Sequence, residues 1–165
     1  MNNNFYLKDL PKDLKYLLSA FLIIMLIGVS VGLAYVYTST NMTSTGIVEQ
    51  FNGSEMDNDT DIPEKFPKPI ENMLLTTHNH LLTFSIITLL LGLIFYFNSI
   101  ITGFKKTILI IEPFITTFIM FASLWIMKYL IPSFVYLMII SSFLTYLCWY
   151  LMIMISVYEL LLKKN

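Results

Sequence analysis

The chain has 165 residues, of which 56% are hydrophobic and only 13% charged, with a formal net charge of −1. Soluble domains carry about a quarter charged residues, so this composition excludes a small water-soluble globule. It also excludes a disordered chain, a basic nucleic-acid binder and, with Cys148 as the one cysteine, an internal disulfide scaffold. An integral membrane protein remains.

Crossing the hydrocarbon takes about 20 apolar residues in a helix. Four stretches meet this: about 16–37, 80–101, 107–127 and 133–162. Their apolar runs are continuous rather than alternating, which predicts helices and not barrel strands. The predicted fold is an all-α, four-helix transmembrane bundle in one domain, with an acidic extracytoplasmic loop between the first two helices.

The first span is too long for a signal-peptide core and no small-x-small cleavage site follows it clearly. It reads as a retained signal anchor. Its Gly28-Val-Ser-Val-Gly32 is a GxxxG pattern, which lets a second helix backbone approach closely.

Lysines set the orientation, since the chain has no arginine. Lys8, Lys12, Lys15, Lys105, Lys106, Lys163 and Lys164 share one side, against Lys65, Lys68 and Lys128 on the other. The positive-inside rule then places both termini in the cytoplasm, with a bacterial inner membrane as the expected address.

The loop over 38–77 carries seven acids against two lysines, net −5. Ile47 to Phe51 is its only candidate for a short strand or helical turn. Three sequons, at Asn41, Asn52 and Asn58, fall in it; an AT-rich codon bias is the plainer source of such triplets, ahead of glycosylation. The run Glu55-Met-Asp57-Asn-Asp59-Thr-Asp61 resembles the start of a calcium loop, but lacks the required glycine and closing glutamate. It reads as a solvated charge run.

At the outer entrance of the second span stand the two histidines, in Thr76-Thr77-His78-Asn79-His80. Imidazole is a common ligand for copper and haem iron, so His78 and His80 are the candidate metal or haem b ligands. On a helix two residues two apart diverge by about 200°, so they could share an ion only outside one. The other spans hold no histidine, and a haem would need a partner's histidine or an axial methionine such as Met56, Met73 or Met138. The plainer alternative is an interfacial pair bonded to loop carbonyls or water. If the stretch is helical, His78 shares heptad spacing with Ser85 and Gly92, which predicts that it faces the bundle.

The third span contains Glu112-Pro113. A carboxyl at that depth is costly and is a candidate proton or ion site; the alternative is a structural pair with Lys105 or Lys106. The fourth span has a stripe of Ser141, Thr145, Cys148, Met152, Ser156 and Glu159 at helical spacing. Such residues allow close helix packing in lipid, and Cys148 reads as a small filler. Trp125, Tyr129 and Tyr136 fit an aromatic belt.

No phosphate loop, paired-cysteine motif or hydrolase set is visible. The segments Gly46-Ile-Val-Glu-Gln-Phe-Asn-Gly53 and Met73-Leu-Leu-Thr-Thr-His-Asn-His-Leu-Leu82 resemble uncharacterised small four-span membrane proteins of bacteria. That resemblance implies the fold and no activity. Three functions stay open: a non-catalytic subunit or accessory protein of a larger membrane complex, whose partner is another membrane protein or a second copy; a redox protein using His78 and His80; and a proton or cation pathway at Glu112.

Overall fold

A computed structural model describes residues 5–54 and 63–163. The acidic run Glu55 to Asp61, with Met56 and the Asn58 sequon, lies outside the described residues. Everything regular among the described residues is helical: α1 (Lys12–Thr40), α2 (Ser44–Asn52), α3 (Ile70–Tyr96), α4 (Gly103–Tyr129) and α5 (Val135–Leu161), with 3₁₀ turns at Leu7–Asp9 and Pro132–Phe134. Four of these, α1, α3, α4 and α5, are long and apolar enough to cross a membrane.

The helix limits follow from local chemistry. Pro11 and Pro69 precede α1 and α3, where the missing N–H costs nothing. α1 ends where Asn41 turns left-handed at φ 51°, and α2 ends at Gly53, φ 87°. Between them the Thr43 hydroxyl accepts the Gly46 N–H at 3.0 Å, capping α2.

The second span differs from the sequence expectation. α3 begins at Ile70, ten residues before His80, and stops at Tyr96. Its 27 residues rise about 40 Å, against about 30 Å of hydrocarbon. The polar turns carrying Glu71, Asn72, Thr76 and Thr77 are thus the end of a helix that projects past the apolar layer. The connection between α1 and α3 shrinks to 41–69, and its Ile47–Phe51 stretch is helical within α2.

α5 is the axis of the bundle. It packs most closely against α4 and also touches α1, α3 and α2. α3 packs on α4, whereas α1 stands at the edge, resting on α5 through Leu22 and Val29. One buried cluster joins Leu22, Leu91, Phe95, Trp149, Met152 and Ile153; a second joins Ile47, Met73, Met120, Phe121, Leu124 and Met127 beneath α2.

Lipid is as apolar as leucine, so packing and interhelical hydrogen bonds hold such helices together. Each seam has one. Ser30 and Tyr150 hydroxyls meet at 2.8 Å between α1 and α5, and Thr116 and Thr145 at 2.7 Å between α4 and α5. Trp149 Nε1 donates to Thr88 at 3.0 Å, joining α5 to α3. Trp125 Nε1 donates to Thr77 at 2.9 Å, so this belt residue also ties α4 to α3.

Candidate functional site

Four polar places lie against the bundle, and the structure separates them. At the end where the α3–α4 connection meets the last turns of α5, Glu159 is wholly buried. Its carboxylate accepts the Asn98 side-chain N–H and the Ser99 backbone N–H, the latter at 2.8 Å. Asn98 Oδ1 in turn accepts from the Ile100 and Ile101 amides, each at 2.8 Å. Lys106 Nζ donates to the Tyr96 and Asn98 carbonyls at 3.0 and 2.6 Å, and Lys163 Nζ to the Ser99 hydroxyl at 2.8 Å. The backbone N–H groups of Ser99, Ile100 and Ile101 thus all find side-chain acceptors. We call this arrangement the latch. Sequence reasoning placed Glu159 on the packing stripe of α5 and missed Asn98 and Ser99, about 60 positions away.

The opposite end is closed by α2. Lys128 Nζ donates to the Phe51 carbonyl at 2.6 Å, and Lys68 Nζ stands 4.5 Å from the Phe51 ring. Lys65 Nζ donates to the Ser39 carbonyl at 3.1 Å. Lys65, Lys128 and Lys106 therefore sit at the C-terminal ends of α1, α2 and α3, where the helix dipoles favour cations. Burial, and then the charge of Lys128, hold the Lys68 ammonium below the usual 10.5. The folded state binds this proton less tightly than the unfolded chain. Stability should accordingly rise with pH through the interval below 10.5. A pH series of unfolding should show that slope, and Lys68→Met should flatten it.

His78 and His80 lie in the third turn of α3, both exposed and two residues apart. A helix sends such rings in divergent directions, so this chain does not bring them to one point. His80, not His78, leans on α4. Its ring lies 5.6 Å from Phe84 and 5.9 Å from Phe121, and its Nδ1 is 2.8 Å from the Thr76 carbonyl. The heptad link fails because a straight helix drifts about 20° per seven residues. Gly92 is buried, whereas Ser85 and His78 are both exposed. Among the described residues no three His, Cys, Asp or Glu side chains gather as metal ligands.

Glu112 lies in the α4–α5 seam. Lys106 points to the end of α3 instead, and Lys105 is exposed, so neither lysine is placed to pair with Glu112. Both carboxylate oxygens are enclosed without a hydrogen-bond partner. Cys148 lies alongside without reaching hydrogen-bonding geometry. One turn on, the Thr116 hydroxyl is shared between the Glu112 carbonyl at 3.1 Å and Thr145.

The small residues divide similarly. Ser141, Thr145, Cys148, Met152, Ser156 and Glu159 are all buried along α5. A side chain added at Gly92 would meet Ile110 at 3.1 Å. One added at Gly28 would meet nothing within 4 Å, and at Gly32 only the Tyr146 hydroxyl at 3.7 Å. Gly28, Gly32, Met25 and Phe21 of α1 line a cleft of about 340 Å³, with Thr83 and Phe84 of α3 opposite and Trp149 among its lining residues.

A family model described as a transmembrane helical domain matches residues 41–165. No curated protein and no solved structure matches the chain.

Proposed function

The chain belongs to the transmembrane helical domain family and is a multi-pass membrane protein, and on that premise we propose that it serves as a non-catalytic subunit or accessory protein of a larger membrane complex. One observation carries the proposal. Glycine inside a helix costs about 1 kcal/mol relative to alanine, and at Gly28 nothing in the chain uses the space that the glycine leaves. α1 rests on α5 and, at its C-terminal end, on α2, while Gly28 opens onto the cleft. A helix of another membrane protein, or of a second copy, supplies the missing close approach.

The proposed address is a bacterial inner membrane, with the termini, Lys105, Lys106 and the latch on the cytoplasmic side. The lysine distribution supports that orientation. α2 then faces outward, towards soluble or periplasmic portions of the complex.

Gly28→Leu tests the reading. It should leave the unfolding transition of the isolated protein where it is or raise it by up to about 1 kcal/mol, since a Cβ there meets no described atom within 4 Å and the helix loses a glycine. The same variant should lose the co-purifying partner in mild detergent. Retention of an unchanged partner set would count against α1 as the contact helix.

A further inference from the structure

We propose that Glu112 is the binding group of an occluded site for one small monovalent cation, a proton or a sodium ion, in the seam between α4 and α5. The inference goes beyond the subunit reading and stands or falls independently of it.

A carboxylate in an apolar interior must be paired or neutralised, because bare burial of an ion is far too costly. Here both oxygens are enclosed and accept nothing. The nearest lysines of α4 are committed elsewhere: Lys106 to the carbonyls of Tyr96 and Asn98, Lys105 to the exposed surface. α5 lays the neutral Cys148 beside Glu112 and the neutral Thr145 against Thr116 one turn on. These neighbours bring no counter-charge to the carboxylate.

The surroundings suit a small cation. Thr116 lies one turn from Glu112 on the same face and reaches Thr145 at 2.7 Å. Thr116, Thr145 and their two carbonyl contacts make three hydrogen-bond distances for two hydroxyl protons. One of the three contacts therefore has no proton of its own, and an oxygen there remains an acceptor. Pro113 has no N–H, which also releases the Leu109 carbonyl from its helical bond. Hydroxyl, carbonyl and carboxylate oxygens are the donor set that hard cations take. The contrast with Glu159 is sharp, since that carboxylate is saturated by the amides of the latch.

The test uses the full chain in mild detergent. It is treated with N,N′-dicyclohexylcarbodiimide, which couples to protonated carboxyls in apolar settings, and the adduct is located by peptide mass spectrometry. Infrared spectra are recorded on the same samples, with sodium chloride against choline chloride. A site for a proton gives an adduct at Glu112 that sodium does not suppress, and a carboxylic-acid band that Glu112→Gln removes. A site for sodium gives an adduct at Glu112 that sodium suppresses and choline does not. Glu159 should stay unlabelled throughout. Absence of both the adduct and the band, with wild-type carboxylate bands indifferent to sodium, would overturn the proposal without requiring the variant to fold.

Discussion

Glu159→Leu should destabilise the bundle by about 2–5 kcal/mol, because two donors lose their acceptor at once and each buried orphan costs about 1–3 kcal/mol. The donors are the Asn98 side chain and the Ser99 amide, and Asn98 is itself fully buried. Glu159 and Asn98 are both fully buried, so water cannot take the place of the carboxylate without opening this end of the bundle. Glu159→Gln retains a carbonyl acceptor but turns an NH₂ towards one donor, so its loss should be about 1–2 kcal/mol. Denaturant titration in detergent would rank wild type above glutamine above leucine. Equal stability of all three would mean that the latch holds nothing.

The second large effect is local. Gly46→Ala places a Cβ 2.1 Å from the Thr40 carbonyl oxygen, 2.8 Å from its carbon and 2.9 Å from Thr43 Oγ1. The first two atoms are backbone at the end of α1, and the third is the cap of α2. None is a flexible tip that can swing aside. Overpacking of this kind costs about 1–3 kcal/mol or more, and the strain is relieved by moving α2 off α1. Amide hydrogen exchange should show protection lost over 44–52 while α4 and α5 keep theirs. Unchanged protection over 44–52 would place the α1–α2 turn differently from the structure.

Much of the architecture can be read from composition, for a physical reason. The bilayer demands about 20 apolar residues per crossing, and α1, α3, α4 and α5 each contain such a run. The same signal misplaces the start of α3. Hydropathy reports where the hydrocarbon ends, not where the helix ends, and a helix satisfies its own backbone bonds on both sides of that boundary. Pro67 and Pro69 are the better sign of the true start, since Pro69 stands at the N-cap.

The stripe on α5 is visible because helical periodicity links Ser141 to Glu159 within one element. The latch is not visible, since no local rule connects Glu159 with Asn98 and Ser99. Glu112 stands out as a charge in an apolar run. Its loss of Lys106 does not, because that depends on the α3 C-terminus offering two open carbonyls nearby. The histidines were hard to place for the opposite reason. Their orientation turns on whether residues 70–79 are helical, and a polar stretch before a span leaves that undetermined.

Membership of a larger complex is the central claim, and native mass spectrometry of the protein released from its own membrane in mild detergent tests it most directly. The account predicts a dominant species heavier than the 19.2 kDa chain, with a partner or second copy in fixed ratio. A single monodisperse species of one chain, carrying neither partner nor copy, would contradict it.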